Sequence, residues 1–530
     1  MRVSQELSLQ DAPVRVDRER ARPPRRLDWW IAGAWLASLA AVQAGRPREV
    51  DPYWQIRAGL ENLAGTPFVR PDSWSWAPTG GEFYPNSPAW NVILALGWQT
   101  AGFWGLFAVT FVSIVAFGVL VAVAARALGA RPLAILVGAF PMLLLAVTKL
   151  SPRATLPAQT LFLFAVLLGW WWNRSSARRP GWATALGLAI VGFVVSIVGN
   201  WIHLSWAALA AATAVAWTVI WLLTPGISVL RRLATSLAGA AGLGLGVVLG
   251  PDGIAGTIER SRVVAEACAG LIAEWLSPFV LGQVVLRWFP VIVVVLLVTV
   301  ASVVRVVRDL RAGRRTDPRV RLHAGLVVVG AGTAVAGLTA VRFTGLAVLT
   351  VAPLAPLLVP SLARAVRRLV RRAPVAIRGR AAEWTSETLW RPVAAALAVV
   401  LAPLAILGAW PHAQPSGVAA IAQAPSGCRV FASYELSAAV ILLRPDLTVW
   451  ADGRYEYYGR QRIEETLSFF HDTAAPDGKT TPDGAQCALF PTSAVTTRFE
   501  PVVGRLDADR DWTRAATTPE AILWVRTGTV

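Results

Sequence analysis

Long apolar runs, separated by short polar segments, fill most of the chain up to Leu407. Runs of about 18 or more residues are long enough to cross a bilayer as helices, and a soluble core would not need so many. The pattern therefore predicts an α-helical polytopic membrane protein with about eleven transmembrane helices. The predicted spans are 29–44, 105–125, 133–147, 156–172, 182–198, 204–223, 234–249, 279–304, 325–340, 345–358 and 392–407.

A further apolar segment, 87–101, is too short to cross a bilayer. It begins with Ser87 and Pro88, a pair typical of a helix N-terminus, and Gly102 follows it. A spanning helix here would also place basic loops on both sides of the membrane. We therefore expect an interfacial or re-entrant helix.

A polar insert, 49–92, lies within the loop 45–104 that follows the first predicted span. Asp51 and Pro52 are typical of a helix start, with Asp as the cap and Pro at the first helical position. The apolar residues after them recur at helical spacing, which predicts an amphipathic helix lying on the membrane. These residues are Tyr53, Ile56, Leu60 and Leu63. The insert also concentrates carboxylates, namely Glu49, Asp51, Glu61, Asp72 and Glu82.

The pattern changes in the last part of the chain, 411–530, where short β-like runs alternate with turns. The predicted strands are CRVFAS, AAVILL, LTVWAD, ALFPTS and AILWVR, and a helical stretch lies near 460–470. This pattern is typical of a small α/β domain of roughly 110 residues. The predicted order is a basic tail (1–28), a transmembrane domain (29–410) and this C-terminal domain.

Composition and charge support this organisation, since 55% of the residues are hydrophobic and the net charge is +18. The Arg-rich tail precedes the first span, which has no convincing cleavage site, and we interpret that span as a retained helix. The Arg clusters flank apolar runs and fall on one side of the predicted topology, which indicates cytoplasmic loops near anionic lipid head groups. The charge therefore does not require a nucleic-acid partner. The insert and the C-terminal domain are predicted to lie outside, with the N-terminus in the cytoplasm.

Cysteine and histidine are scarce, with three Cys and four His. Cys428 and Cys487 both lie in the predicted outer domain, where a disulfide between them is compatible with the compartment. Cys268 is expected to be a lone buried or interfacial thiol. The scattered His and Cys do not show the spacing of a zinc site.

Several short motifs follow one another in a specific order. They are Asp51-Pro52-Tyr53-Trp54-Gln55-Ile56, Gly65-Thr66-Pro67, Pro71-Asp72-Ser73, Ser151-Pro152-Arg153, Gly199-Asn200-Trp201-Ile202-His203, Arg342-Phe343 and Asp452-Gly453-Arg454. In this order the chain resembles GT-C fold glycosyltransferases that use polyprenyl-phosphate sugars, and particularly a bacterial branch with a D-x-x-W-x-x-x-x-G loop. The likeness extends from Asp51 over most of the chain.

The resemblance implies an inverting transfer of a sugar from a polyprenyl-phosphate donor to an extracytoplasmic lipid, glycan or protein acceptor at the bacterial cytoplasmic membrane. Asp51 is the favoured base, and Asp72 and His203 complete the predicted catalytic residues. The donor phosphate is expected to bind fixed cations, since negative charge grows on it as it leaves. The predicted phosphate ligands are Lys149, Arg153 and Arg342, and the predicted acceptor contacts are Trp54, Arg454, Glu456 and Tyr458.

Some relatives hold a divalent cation, Mg²⁺ or Mn²⁺, with loop carboxylates, and Asp51 with Asp72 would be the ligands here. This loop has no adjacent acidic pair, however, so metal use and the identity of the base both stay open.

Each motif also has a purely structural interpretation. Asp51 can act as a helix cap, the three cations can reach lipid head groups, and His203 can be a hydrogen-bonded boundary residue. Asp452 and Arg454 can form a local ion pair in a turn, and the Trp residues can form an interfacial belt. Two other functions stay open: a transporter or flippase of lipid-linked sugars, and a non-catalytic GT-C-like protein of envelope assembly. A transporter would be expected to carry charged residues in mid-span, and the spans are nearly free of them.

Overall fold

The structure is a computed structural model that describes residues 26–45, 50–77, 79, 81–176, 181–280, 283–372, 417–472, 478–492 and 499–528. The last predicted span, 392–407, lies outside these residues. The membrane domain contains α1 (Arg26–Ala44), α2 (Asp51–Leu63), α3 (Pro88–Ala101), α4 (Phe103–Ala127), α5 (Pro132–Leu145), α6 (Thr155–Ser176), α7 (Trp182–Ile202), α8 (Trp206–Leu222), α9 (Val229–Val248), α10 (Gly253–Cys268), α11 (Gln283–Arg311), α12 (Pro318–Thr339), α13 (Val341–Val351) and α14 (Val359–Arg372). A two-stranded ribbon, β1 (Arg70–Pro71) and β2 (Glu82–Phe83), lies between α2 and α3.

These helices confirm the prediction of a polytopic helical membrane protein. Each predicted span within the described residues overlaps one of them, because a segment in lipid must satisfy its backbone hydrogen bonds internally. Among the described residues, 5 helices are long and apolar enough to cross a membrane, or up to 7 if each of two bent pairs is one span. The bent pairs are α9 with α10, at 71°, and α13 with the segment Ala355–Val366, at 53°. The number of about eleven spans stays a prediction.

The helix that begins at Asp51 is not free on a membrane surface. A Cβ on Gly59 would lie 2.1 Å from the backbone oxygen of Asn91, so α2 and α3 approach each other backbone to backbone. Gly105 brings α3 close to α4 in the same way, since a Cβ there would lie 1.6 Å from the Gly97 oxygen. The residues Tyr53, Trp54 and Ile56 are buried in a core shared with the C-terminal domain. The prediction of an amphipathic surface helix is therefore wrong, because the C-terminal domain covers its outer side.

The C-terminal domain is a mixed sheet with helices, as predicted. It contains α15 (Val418–Ile421), β3 (Arg429–Ala432), α16 (Tyr434–Leu443), β4 (Thr448–Val449), α17 (Tyr455–His471), β5 (Cys487–Pro491), α18 (Glu500–Ala508), β6 (Trp512–Thr517) and β7 (Ala521–Arg526). The strand order is β4-β3-β5-β7-β6, with β3 parallel to both neighbours and the pairs β5–β7 and β7–β6 antiparallel.

The run AAVILL is a helix, so its prediction as a strand is wrong. It belongs to α16, where almost every side chain is buried. An apolar run that is buried on all sides shows no periodicity that would distinguish a helix from a strand. The strand β6 was not predicted, and its alternation is weak because three successive central residues are exposed.

The insert extends the sheet of the C-terminal domain. Val449 of β4 donates its backbone N–H to the Trp74 oxygen at 2.8 Å and accepts from the Trp76 N–H at 3.2 Å. A disulfide joins Cys428 and Cys487 at the start of β3 and β5, with the Cα atoms 6.1 Å apart, as the sequence allowed. Cys268 is a free and buried thiol, as expected. The insert and the C-terminal domain thus form one unit against the helices.

Candidate active site

Five charged side chains from four different connections meet at one face of the helical domain. Lys149 ends a 3-10 turn after α5, Arg153 precedes α6, and Arg342 lies in the first turn of α13. Asp51 is the first residue of α2, and Glu274 lies in the 3-10 turn Ala273–Trp275 between α10 and α11. These side chains contact one another directly, which confirms that their connections lie on the same side of the helical domain, as predicted.

Arg153 connects the two carboxylates of this cluster. Its Nη2 lies 2.9 Å from Asp51 Oδ2, and its Nη1 lies 3.3 Å from Glu274 Oε2. Glu274 also contacts Lys149 Nζ at 3.4 Å and Arg342 Nη1 at 3.3 Å. One carboxylate therefore lies among the three cations that were predicted to bind phosphate.

Asp51 does not cap its helix, contrary to the prediction. The N-cap residue is Val50, and no side chain forms a cap hydrogen bond there. The Asp51 carboxylate instead contacts Arg153 and accepts a hydrogen bond from the Trp54 indole at 3.3 Å. A Cβ on Gly453 would lie 2.8 Å from Asp51 Oδ1, so glycine is needed where the C-terminal domain approaches the carboxylate. The Asp51 side chain is 22% exposed, so a reactant can reach its carboxylate.

The cations are held by specific packing. Lys149 is buried, and a Cβ on Gly345 would lie 2.6 Å from its Cγ, so the small residue makes room for the stem. The guanidinium of Arg342 lies 4.9 Å from the ring centroid of Trp275, in cation–π geometry. These contacts fix cations at defined positions, which a side chain reaching freely toward head groups would not require.

Glu274 is ionised by its surroundings. Burial alone would raise its pKa, but the charges of Arg153, Arg342 and Lys149 outweigh burial and lower the pKa to about 2. The site therefore stabilises a negative charge at the position of this carboxylate.

His203 lies beside this cluster at the end of α7. Its Nδ1 accepts the backbone N–H of Ser205 at 3.0 Å, which assigns the proton of the neutral ring to Nε2. Burial, together with the charges of Arg342, Arg153 and Arg260, lowers its pKa to about 3. His203 is therefore neutral at physiological pH and can donate a hydrogen bond from Nε2.

The C-terminal domain contributes Glu456 to the same place. Glu456 lies in the first turn of α17, is half-buried, and accepts a hydrogen bond from Asn86 Nδ2 at 3.1 Å. Burial raises its pKa, and the charge of Asp51 raises it further. Asn86 also accepts the backbone N–H of Leu204 at 2.8 Å, next to His203. The predicted acceptor residue Glu456 thus lies near the predicted base.

The structure places Asp72, Arg454 and Tyr458 in a separate buried network. Arg454 contacts Asp452 and Asp72 at 2.7 Å each, and its side chain and that of Asp72 are 0% and 1% exposed. Tyr458 donates to Asp452 at 2.8 Å and bonds Ser75 at 2.6 Å. These side chains join the insert to the C-terminal domain and present no atom to an acceptor. This placement favours a structural role for Asp72, Arg454 and Tyr458, and their predicted catalytic and acceptor-binding roles stay predictions.

Trp54, another predicted acceptor contact, is 2% exposed. Its indole N–H bonds Asp51, so it orients the carboxylate and has little surface for an acceptor. The structure thus leaves Glu456 as the partly exposed member of the predicted acceptor group.

Sequence reasoning missed Glu274 and Arg260. Arg260 of α10 donates to the Tyr84 oxygen at 3.3 Å, pairs with Asp252, and lies close enough to influence His203 and Glu456. Both residues belong to the mixed-charge connection 251–278, where charges occur without a motif. The sequence offered one signal for Glu274: this carboxylate precedes Trp275 in a connection predicted to lie on the same side of the membrane as the three cations.

The carboxylates do not fit a divalent cation. Asp51 and Asp72 have different cationic partners, Arg153 and Arg454, and Glu274 is surrounded by cations. In the part of the chain that the structure describes, there is no group of three or more His, Cys, Asp or Glu side chains that could hold a metal ion. Asp51 and Asp72 therefore do not form the paired ligand set that the loop carboxylates suggested.

Comparison with known proteins identifies the fold. No family model and no curated protein matches the chain. ArnT from Cupriavidus metallidurans, solved with undecaprenyl phosphate, has a TM-score of 0.52 and 12% identity over 94% of this chain and 98% of ArnT.

Two structures from Archaeoglobus fulgidus have lower TM-scores than ArnT. The oligosaccharyltransferase tethered to an acceptor peptide has a TM-score of 0.44 and 14% identity over 91% of this chain and 71% of that chain. AglB in complex with an inhibitory peptide and a dolichol-phosphate has a TM-score of 0.48 and 12% identity over the same shares, 91% and 71%. The likeness to ArnT shows that the chain has the GT-C fold, as its motifs predicted.

Proposed function

We propose that this protein is an integral-membrane glycosyltransferase that moves a sugar from a polyprenyl-phosphate donor to an extracytoplasmic acceptor. The GT-C fold, shared with a protein solved with undecaprenyl phosphate, makes this class of reaction a natural expectation. Fold alone does not assign an activity, so the proposal depends on the site. We place the site on the outer face of the cytoplasmic membrane.

One observation carries the proposal: Arg153 joins a partly exposed carboxylate to a cluster of cations. Asp51 lies on one side of its guanidinium, at 2.9 Å, and Glu274 with Lys149 and Arg342 lies on the other. Sugar transfer from a lipid phosphate needs a base beside an anion site, because a proton leaves the acceptor while negative charge grows on the leaving group. The two parts are adjacent here.

In the proposed reaction, Asp51 accepts the proton of an acceptor hydroxyl. The oxygen of that hydroxyl attacks the anomeric carbon from the face opposite the phosphate, and the bond from that carbon to the phosphate oxygen breaks. Direct displacement inverts the configuration. Trp54 and Arg153 hold the carboxylate in one orientation, which keeps it aligned with the acceptor.

The leaving polyprenyl phosphate takes up the bonding electrons and is stabilised by Lys149, Arg153 and Arg342. Charge-assisted hydrogen bonds from fixed cations are strongest in a site shielded from water, and the packing of Lys149 and Arg342 provides fixed positions. Neutral His203 is proposed to donate a hydrogen bond from Nε2 near these groups. Glu456, supplied by the C-terminal domain, is proposed to contact the acceptor.

The proposal is tested by a transfer assay with the protein in liposomes. The donor is a radiolabelled pool of polyprenyl-phosphate sugars from the producing cells, and the acceptor is their envelope fraction. Label that leaves the polyprenyl-phosphate-sugar species, separated from other lipids by chromatography, measures transfer to a lipid, glycan or protein acceptor. The variant Asp51→Asn should transfer about 10²–10⁴-fold more slowly, because it has lost the general base.

Glu82→Gln is the matched control, since Glu82 is an exposed carboxylate of the same insert whose partner is the Tyr84 hydroxyl. It should transfer at the wild-type rate. Wild-type transfer by Asp51→Asn would exclude Asp51 as the base. If the wild type and Glu82→Gln are both folded and loaded with donor lipid but transfer no sugar, the glycosyltransferase assignment is contradicted.

A further inference from the structure

Glu274 occupies the place in the cation cluster where an anion is best stabilised. Its two oxygens contact Lys149, Arg153 and Arg342 at 3.3 to 3.4 Å. These distances are longer than the 2.9 Å contact between Arg153 and Asp51, and longer than usual for a charge-assisted hydrogen bond. The carboxylate is thus shared among three cations and closely bound to none.

The local structure allows this carboxylate to leave. Glu274 lies in the three-residue turn Ala273–Trp275 and its side chain is 25% exposed. The neighbouring residues hold the turn, since Leu276 accepts the backbone N–H of Val341 at 3.0 Å and Trp275 packs under Arg342. A rotation of the Glu274 side chain would therefore free the cations without moving them.

The charge balance shows what would follow. Among the side chains in direct contact there are three cations and two carboxylates, Asp51 and Glu274, so this cluster is positive with Glu274 present and more positive without it. A cluster of basic side chains at a membrane surface attracts anionic lipid head groups. Phospholipid phosphodiesters carry the same single charge as a polyprenyl-phosphate sugar and are far more abundant.

We propose that Glu274 is a specificity-determining residue: its carboxylate occupies the phosphate position among Lys149, Arg153 and Arg342, excludes anionic phospholipid head groups, and leaves when the polyprenyl-phosphate substrate binds. This inference rests on the proposed function. Rejection of a competitor by an internal charge is a form of specificity that attraction alone cannot supply, because both lipids carry phosphate. Only a lipid with further contacts in the site would displace Glu274.

Binding of polyprenyl phosphate to the full-length protein in phosphatidylcholine nanodiscs tests this inference. The variant Glu274→Gln keeps the size of the side chain and removes its charge. We expect it to bind polyprenyl phosphate about tenfold more tightly, because affinity rises when the competent state no longer has to be generated. Adding phosphatidylglycerol should then weaken binding to Glu274→Gln several-fold and leave the wild type nearly unchanged.

Glu266→Gln is the control, since Glu266 is 61% exposed on the neighbouring α10 and pairs with Arg262. It should behave as the wild type in both lipid mixtures. Equal or weaker binding by Glu274→Gln, or equal sensitivity of both proteins to phosphatidylglycerol, would overturn the inference and make Glu274 a structural counter-ion. If the folded wild type does not bind polyprenyl phosphate at all, the proposed function itself fails.

Discussion

Arg153 links the two parts of the candidate site, the proposed base Asp51 and the cation cluster around Glu274. Its guanidinium contacts Asp51 with one nitrogen and Glu274 with another. Because the planar guanidinium fixes the directions of its donors, the base and the phosphate position have a defined separation. A lysine at this position could hold one partner but not orient both.

The protonation of His203 gives a prediction about pH. Its pKa is lowered from 6.5 to about 3 in the folded protein, so the unfolded chain takes up a proton below pH 6.5 while the folded protein does not. The free energy of unfolding should therefore fall as pH drops, by about 2 kcal/mol between pH 6.5 and 5. The variant His203→Gln removes this proton uptake and should show a shallower decrease.

Thermal unfolding in detergent between pH 8 and 5 measures the effect. His471→Gln is the matched control, since His471 is exposed at the end of α17, and it should keep the wild-type slope. Parallel curves for the wild type and His203→Gln would show that His203 is not held neutral.

At the scale of elements, the C-terminal domain is fixed to the insert by Arg454. Its guanidinium is completely buried between Asp72 of the insert and Asp452 of its own domain, with the Trp74 ring centroid 4.5 Å away. Asp452 and Arg454 flank Gly453, the residue whose backbone lies next to the Asp51 carboxylate. The network therefore positions the domain against the candidate base.

Replacing Arg454 tests this structural role. Arg454→Met would leave two buried carboxylates without their cation, which costs about 3–5 kcal/mol. We expect a large decrease in the thermal midpoint, whereas Arg526→Met should change it little, because that exposed pair with Asp511 contributes less than about 1 kcal/mol. A stable Arg454→Met protein that has lost only acceptor affinity would support the original acceptor-binding prediction.

The elements also show what sequence patterns can and cannot predict. Apolar runs predicted the positions of α4 to α9 and of α11 to α13, because length and hydrophobicity suffice in a bilayer. They did not predict α10, which lies in the mixed-charge connection 251–278. The surroundings of α2 could not be predicted, since the C-terminal domain that covers it comes more than three hundred residues later. For the same reason the motif containing Arg454 gave no sign that its partner would be Asp72. Glu274 could not be assigned because its role depends entirely on three distant cations.

At the scale of the whole molecule, the arrangement of charge predicts the orientation. The last turn of α11 contains Arg308 and Arg311, and the loop that follows it contains Arg314 and Arg315. This basic segment lies at the end of α12 opposite to Arg342. From the rule that basic loops stay in the cytoplasm, we predict that this segment lies inside and the C-terminal domain outside.

Labelling with a membrane-impermeant maleimide in intact cells tests this orientation. Cysteine introduced at exposed Asp483 of the C-terminal domain should react, and cysteine introduced at exposed Arg315 should react only after the membrane is opened. A Cys268→Ser background removes the one free thiol among the described residues. Reaction at position 315 in intact cells would reverse the topology and move the candidate site to the cytoplasm.

The most direct test of the central claim is the pool of polyprenyl-phosphate sugars in cells that produce the protein. A transferase that consumes such a donor should leave it to accumulate when the protein is deleted. We expect mass spectrometry of lipid extracts to show one accumulated polyprenyl-phosphate sugar in the deletion strain and in the strain complemented with Asp51→Asn. The amount of this lipid should return to normal in strains complemented with the wild type or Glu82→Gln. Identical pools in the deletion and complemented strains would contradict the assignment.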